Sequence, residues 1–250
     1  MIEIILVISL CLLGLFLLSI KLQDNSIIDA FWGLGFVIIA LLSYFLQSNF
    51  KTAQTILTLL VTAWGVRLFL LFLSKKLPYE GKEDKRYARW REKWTYFYTR
   101  SFFQVYVLQG VLMFLVAIPI LLINFESNFQ ENMLLTIFGA LLAVFGLIYE
   151  TKADAELSGF IVNKKSGDIL TEGLRKFHRY PQYFGESVFW LGISIISLQV
   201  SILGVVGWIV ITILVRFVSG VPLLEERYKG QKNYEEYSKK TSIFIPNYFT

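Results

Sequence analysis

The sequence is poor in the residues that build metal sites and covalent crosslinks. It has 250 residues but one cysteine, Cys11, and one histidine, His178. A single cysteine excludes an intramolecular disulfide and any metal site built from cysteines. A single histidine excludes histidine-rich metal clusters and proton relays made of several histidines. We therefore predict no bound metal in this chain.

Charge is also scarce, whereas apolar residues are abundant. Charged residues make up 17% of the sequence and hydrophobic residues 55%, and the mean hydropathy is +0.57. Residues 4–20 and 105–123 contain no charge, and each run approaches the roughly 20 residues that cross a hydrocarbon layer about 30 Å thick. Glu3 stands where a cleaved signal peptide would have basic residues, so the first run is expected to be a membrane span. These features predict an all-α, polytopic membrane protein.

The apolar runs predict about seven membrane helices in a single domain covering residues 1–250. The last apolar stretch, residues 183–224, is too long for one crossing and is long enough for two. The predicted helices cover residues 4–20, 27–46, 54–73, 104–123, 133–153, 183–199 and 201–224.

Basic residues predict the orientation of these helices. Lys and Arg are concentrated in residues 74–103, in residues 152–182 and in the tail after residue 224. The loops at residues 47–53 and 124–132 together contain only one, Lys51. The positive-inside rule assigns the basic segments to the cytosol. We therefore predict an external N-terminus and a cytosolic C-terminus.

Six polar residues lie within or at the ends of the predicted spans. A charged group at bilayer depth costs at least ~2.5–3.5 kcal/mol on insertion scales, so it normally faces a partner or a water-filled cavity. The predicted topology brings all six to the cytoplasmic half of the membrane, which indicates a cavity open to the cytosol. The six residues are Asp29, Arg67, Gln109, Glu150, Asp154 and Glu186.

Several of these residues also have structural interpretations. Asp29 suits the positive end of a helix dipole, and Arg67 could extend its guanidinium to the membrane surface. Gln109 fits a hydrogen bond between packed helices. Glu186, five residues after Pro181, would be suitable as a capping carboxylate.

Glu150 and Asp154 favour a functional interpretation. They are four residues apart and therefore share one face of a helix. Two like charges on one face repel each other, so a structural role would need a cationic or hydrogen-bonding partner. The spacing does not identify that partner.

Residues 173–186 combine cations, a proline, aromatic residues and a carboxylate. The cations are Arg175, Lys176 and Arg179. Cations and the free N–H groups of a helix that starts at Pro181 could bind phosphate. Gln182 and Glu186, four residues apart, could present hydrogen-bonding groups to a ribose or an amide. The alternative is a juxtamembrane loop that binds anionic lipid headgroups.

The end of this segment resembles a motif of a known family. The sequence Arg179-Tyr-Pro-Gln-Tyr-Phe-Gly-Glu186 is similar to the Arg-His-Pro-Asn-Tyr-Phe-Gly-Glu motif of bacterial membrane proteins related to steroid 5-alpha-reductases. Further similarities follow in the family's order at residues 25–33, 64–67, 150–160 and 224–246. Two motif positions differ, because Tyr180 replaces the usual histidine and Gln182 replaces the usual asparagine.

The resemblance implies a seven-helix membrane domain that holds NADPH at the cytosolic side. The implied reaction reduces a carbon–carbon double bond conjugated to a carbonyl in a hydrophobic substrate of steroid, lipid or isoprenoid character. Such chemistry needs a proton donor or a positive field at the carbonyl oxygen, which the resemblance assigns to Arg67 or Tyr183. Asp29 and Gln109 would line the substrate cavity. The implied cofactor-facing residues are Glu150, Asp154, Arg179, Gln182, Tyr183, Glu186 and Tyr237.

Two other functions remain open. Isoprenylcysteine carboxyl methyltransferases of the same superfamily have a similar Arg-His-Pro-x-Tyr loop and a Glu-Glu…Tyr-x-x-Tyr tail, and they use S-adenosylmethionine. The matching tail residues here are Glu225, Glu226, Tyr234 and Tyr237. The third possibility is a non-catalytic membrane protein that binds lipid. The expected partners are the bilayer and a hydrophobic small molecule but no nucleic acid, and the expected location is a bacterial plasma membrane. The sequence does not predict the oligomeric state.

Overall fold

The chain folds into helices, as predicted. A computed structural model describes residues 1–47, 50–76, 83–165 and 167–247. Within these ranges no β-strand forms, and the only β-type pairing is an isolated bridge between His178 and Ser242. The α-helices are α1 (Ile2–Leu22), α2 (Ile27–Phe45), α3 (Thr52–Lys76), α4 (Lys85–Lys93), α5 (Phe97–Ser101), α6 (Leu108–Val116), α7 (Ile118–Phe125), α8 (Met133–Asn163), α9 (Pro181–Ser197), α10 (Val205–Ile213), α11 (Val221–Tyr228) and α12 (Lys232–Lys240).

Among the described residues, six segments are long and apolar enough to cross a membrane. They are Ile2–Leu22, Ile27–Phe45, Thr52–Ser74, Phe97–Val116, Met133–Asn163 and Ile202–Tyr228. Large apolar side chains such as Leu10, Leu134 and Phe138 are exposed on their outer faces, where lipid would cover them. The chain is therefore an integral membrane protein.

The predicted count of seven crossings and the predicted orientation stay predictions. The remaining predicted crossing corresponds to α9, whose 17 residues form a helix about 26 Å long. Some of the basic residues behind the orientation are not fully described. Lys82 lies outside the described residues, as do the side chains of Lys75 and Lys76.

Several helices differ in extent from the predicted spans. The longest, α8, runs for 31 residues to Asn163, ten residues beyond its predicted end. The segment predicted as residues 104–123 is broken at Ala117, between α6 and α7. Pro119 explains the break, because it lacks an N–H group and its ring clashes with the carbonyl four residues earlier. A π-helical segment, Phe102–Val107, joins α5 to α6.

Glycines bring the helices of two antiparallel pairs into close contact. Gly139 and Gly146 of α8 face the backbone of α9 at Gly192 and Gly185, so that a Cβ atom at any of these positions would meet backbone atoms. Gly33 of α2 and Gly65 of α3 meet in the same way. Small residues at such crossings allow close packing of membrane helices. Close packing at these glycines therefore fixes the relative positions of the charged residues on the paired helices.

We call the end of the bundle that carries Asp29, Arg67, Glu150 and Glu186 the polar end. Aromatic side chains pack beneath it, with ring centroids separated by 5.0–5.7 Å. The packed rings are those of Trp32, Phe36, Trp64, Phe189 and Trp190. This layer separates the polar end from the rest of the apolar core.

Candidate functional site

Arg67 of α3 pairs with two carboxylates of α8, those of Glu150 and Asp154. Its Nη1 atom lies 2.6 Å from Oε1 of Glu150, and its Nη2 atom donates to Oδ2 of Asp154. Trp64 completes the group, because its indole Nε1 donates to the other carboxylate oxygen of Glu150 at 3.1 Å. Trp64 and Arg67 are three residues apart, and Glu150 and Asp154 are four apart, so each pair lies on one helix face. The face of α3 that carries Trp64 and Arg67 therefore contacts the face of α8 that carries Glu150 and Asp154.

On α9, Tyr183 and Glu186 lie beside this ion cluster. Gly185 packs directly on the backbone of Glu150, which brings the start of α9 against α8. The carboxylate of Glu186 interacts electrostatically with Glu150, Arg67 and Asp154. Neither the Glu186 carboxylate nor the Tyr183 hydroxyl has a hydrogen-bond or ion-pair partner in the part of the chain that the structure describes. These are the two unpaired polar groups at the centre of the polar end.

Asp29 belongs to a second cluster, built with the short helix α4. Its carboxylate accepts from Arg86 Nη2 at 2.7 Å and from the Tyr87 hydroxyl at 2.8 Å. Gln109 connects this cluster to α2, because its Oε1 accepts from Trp32 Nε1 at 2.5 Å and its Nε2 donates to the Tyr87 hydroxyl at 3.4 Å. Asp29 and Gln109 were expected to line a substrate cavity, and the structure gives both of them protein partners.

The surroundings of α4 shift the proton affinity of its side chains. Burial would lower the pKa of Arg86, but Asp29, Tyr87 and Asp84 together outweigh that effect and raise it. Burial, reinforced by Asp29, raises the pKa of the Tyr87 phenol well above its usual value. Arg86 therefore stays charged and Tyr87 stays a hydrogen-bond donor at neutral pH.

The basic segment before α9 is held by its own side chains. Gly173 adopts a positive φ of 60° against the Glu156 carboxylate, which accepts from the Leu174 N–H at 2.9 Å. Arg175 donates to the Arg179 carbonyl and, at 3.1 Å, to Oε1 of Gln182. These bonds fix the loop that leads into α9.

Three of the expected cofactor-facing residues are held by protein partners. The Nη1 atom of Arg179 donates to both carboxylate oxygens of Glu225, at 2.8 and 3.0 Å. Tyr237 donates its hydroxyl to the Arg175 carbonyl at 2.6 Å. Gln182 uses its oxygen for Arg175, and its Nε2 has no partner within the described residues. Arg179 and Tyr237 therefore fasten the tail to the loop.

Glu225 of α11 also explains one of the two unusual motif positions. The Tyr180 hydroxyl, at the position where the motif that it resembles has histidine, donates to Glu225 at 2.8 Å and lies 2.7 Å from the Tyr234 hydroxyl. Tyr234 donates to the same carboxylate oxygen at 2.7 Å. Burial raises the pKa of Tyr180, and its bonds to Tyr234 and Glu225 add to that shift. The hydrogen bonds of the Tyr180 hydroxyl thus connect residues 179–186 to the tail after residue 224.

His178 fastens the end of the tail. It is fully buried, its Nδ1 atom lies 2.7 Å from the Phe244 carbonyl oxygen, and its Nε2 atom lies 2.8 Å from the Tyr149 hydroxyl. Burial lowers the pKa of His178 to about 4. The only histidine in the chain is therefore neutral at physiological pH and supports the loop structurally.

Sequence reasoning did not assign roles to Arg86 and Tyr87. Both lie in a segment without an apolar run, and their partner Asp29 is more than fifty residues away. Asp29 could have indicated that such residues exist, because a carboxylate predicted to lie within the membrane requires a hydrogen-bonding or cationic partner. An open depression of about 580 Å³ lies at the opposite end, where it is lined by residues 130–135 and Gln199, and holds none of these groups.

Together the fold and the site define a polytopic, all-helical membrane protein with a buried ion cluster at one end. The family model described as "Protein of unknown function (DUF1295)" matches residues 15–241, and the chain belongs to this family. No curated protein and no solved structure matches the chain.

Proposed function

We propose that the protein is a membrane-embedded reductase. It would use NADPH to reduce a carbon–carbon double bond conjugated to a carbonyl in a steroid-, lipid- or isoprenoid-like substrate. The observation that carries this proposal is the pair of unpartnered groups on α9, Tyr183 and Glu186. The neighbouring carboxylate of Glu150, by contrast, pairs with Arg67 and accepts from Trp64. Polar groups left free in partly buried surroundings are typical of ligand sites.

The residues present fit such a cofactor. The Glu186 carboxylate could accept from the N–H groups of a carboxamide, and the free Nε2 of Gln182 could donate to a hydroxyl or carbonyl oxygen. The Nε atoms of Arg175 and Arg179 are buried without hydrogen-bond partners among the described residues. The exposed Lys176 and the N-terminal N–H groups of α9 would contact the phosphates, and the buried guanidinium groups of Arg175 and Arg179 would add positive charge nearby.

The side chains around the free groups have distinct roles in this proposal. The bound cofactor would supply the hydride that adds to the β-carbon of the substrate, and a proton from water would then add to the α-carbon to complete the reduction. Tyr183 would donate a hydrogen bond to the carbonyl oxygen, where negative charge develops. Arg67 would add a positive field there, while Glu150 and Asp154 hold its guanidinium in place. Tyr237 would act indirectly, by holding the loop through Arg175.

The relation to steroid 5-alpha-reductases and the location in a bacterial plasma membrane are parts of this proposal. They rest on the motif at residues 179–186 and on the similarities at residues 25–33, 64–67 and 150–160. The S-adenosylmethionine-dependent methyltransferase is an alternative outcome of the experiment below. In the structure, the tail residues that suggested it, Glu225 and Tyr234, bond to each other and to Tyr180.

The experiment is a binding titration on detergent-purified protein with NADPH and, separately, with S-adenosylmethionine. We expect saturable binding of NADPH by the wild type. Glu186→Ala should weaken it by roughly ten- to a hundredfold, because hydrogen bonds to charged groups contribute about 1.5–3 kcal/mol. Tyr183→Phe should leave NADPH affinity nearly unchanged, since the phenol is assigned to the substrate.

The matched control is Glu92→Ala, which removes an exposed glutamate of α4 and should leave NADPH affinity unchanged. Each variant must elute as the wild type does in size exclusion. Absence of NADPH binding to folded wild-type protein would contradict the reductase. Saturable binding of S-adenosylmethionine would instead support a methyltransferase, and binding of neither would support a non-catalytic lipid-binding protein.

A further inference from the structure

The short helix α4 presents two different faces, and only one of them is used within the protein. On the inner face, Arg86 pairs with Asp29, and Arg91 pairs with Glu83 at 2.9 Å. Tyr87 is buried on the same face. Arg91 also donates to Oε1 of Gln23 at 3.1 Å, so α4 is held against α2 and the turn between α1 and α2.

The outer face carries a row of cations, Lys85, Arg89 and Lys93. They are four residues apart, so they lie along one side of the helix over about 12 Å. All three are exposed, and none has an ion pair or hydrogen bond with any residue that the structure describes. The other two arginines of α4 are neutralised by carboxylates, whereas this row is not. We call these three residues the basic row.

The position of α4 places the basic row at the surface of the membrane. Phe97, where the apolar segment Phe97–Val116 begins, lies four positions after Lys93. Aromatic side chains near this junction are exposed, with Trp90 at 38%, Tyr96 at 81% and Tyr98 at 50%. Tryptophan and tyrosine are enriched at the headgroup level of membrane proteins. The basic row therefore lies where lipid headgroups would be.

We propose that the basic row of α4 is a binding surface for the headgroups of anionic phospholipids. Charge complementarity carries the proposal, since three unpaired cations are aligned on the face of an amphipathic helix at headgroup depth. Each cation near an anionic membrane surface contributes roughly fivefold in affinity. Three of them together would favour an anionic over a zwitterionic lipid by on the order of a hundredfold. This proposal is independent of the proposed reductase.

The test measures which lipids remain bound to the protein. The full-length protein is reconstituted in nanodiscs with equal amounts of phosphatidylglycerol and phosphatidylcholine, then released into detergent, and its bound lipids are quantified by native mass spectrometry. We expect the wild type to be enriched in phosphatidylglycerol, and the enrichment to fall as NaCl is raised. The variant K85Q/R89Q/K93Q should lose most of the enrichment.

The matched control is K232Q/K239Q/K240Q, which removes three exposed cations of α12 and therefore the same total charge. These lysines share their helix with Glu235 and Glu236, so we expect this control to keep the enrichment. A second variant, K85R/K93R, preserves the charge of the basic row and should also keep it. Equal loss in both glutamine variants, or no loss in either, would overturn the proposal. If neither glutamine variant loses the enrichment, an acidic protein would be the remaining candidate partner of the basic row.

Discussion

Replacing Arg67 with methionine should destabilise the protein strongly, because two buried carboxylates share its charge. The side chains of Arg67, Glu150 and Asp154 are 18%, 5% and 10% exposed. Removing one partner of a buried ion pair costs about 3–5 kcal/mol, because a buried charge is left uncompensated. For chains of this size each 1 kcal/mol lowers the melting temperature by roughly 2–4 °C, so we expect a fall of ~6–20 °C. Arg67→Lys should cost less, since it keeps the charge but loses the planar fork that reaches two carboxylates.

The measurement is the apparent Tm in detergent, followed by tryptophan fluorescence at a fixed heating rate. The double variant R67M/E150Q tests the cause, because neutralising Glu150 should recover part of the loss. We expect a coupling of about 0.5–3 kcal/mol between the two substitutions. Arg89→Met removes an exposed, unpaired arginine and is the control, with an expected change within about 0.5 kcal/mol. A shift in R67M no larger than in R89M, or strictly additive effects in the double variant, would refute the reasoning.

Three further predictions concern other parts of the structure. Glu186→Gln should raise the apparent Tm, because it removes a carboxylate that has no partner within the described residues and faces other carboxylates; a lower Tm would count against the site. Between pH 6.5 and 4, His178 becomes protonated in molecules whose tail is detached or unfolded. In the native form its pKa is about 4, so it stays neutral over most of this range. Native contacts of the tail should therefore weaken as the pH falls through this range, measured as faster amide hydrogen exchange at residues 242–247 after correction for the intrinsic pH dependence. His178→Gln should remove this effect, and stronger protection at low pH would contradict it. Gly146→Leu should prevent α8 from packing on α9 and give aggregated protein in size exclusion, whereas Gly159→Ala, which has open space around its Cβ, should behave as the wild type.

Much of the fold follows from the sequence because lipid imposes simple requirements. Apolar runs of about 20 residues have few alternatives to a helix in a membrane, and the predicted spans correspond to helices in the structure. The gathering of Arg67, Glu150 and Asp154 also has a sequence basis. The spacing of Glu150 and Asp154 puts both on one helix face. The predicted topology puts all three residues at the same depth in the membrane.

Other features depend on tertiary contacts that spacing does not encode. Beyond residue 153, helix α8 contacts the loop before α9, where the Glu156 carboxylate accepts the Leu174 N–H at 2.9 Å. The hydrogen bonds of Tyr180 form only because α11 and α12 fold back and bring Glu225 and Tyr234 to it. These contacts come from a distant segment, so the spacing of residues within the motif does not reveal them.

The choice of partners for Asp29 could not be derived from the sequence either. It is bound by Arg86 and Tyr87, which lie on a short helix with no membrane-spanning pattern. Five cations lie on α4, and only the folded structure separates those that pair inward from the basic row. Sequence reasoning could state that a buried carboxylate needs a donor, but not which donor supplies it.

The most direct test of the proposed function is a cryo-electron microscopy structure of the protein determined with saturating NADPH. We predict density for the cofactor against Glu186, with its phosphates towards Arg175, Arg179 and the start of α9. Arg67 should remain paired with the carboxylates of α8. Density for NADPH elsewhere on the protein, or an unchanged site at saturating concentration, would contradict the proposed reductase.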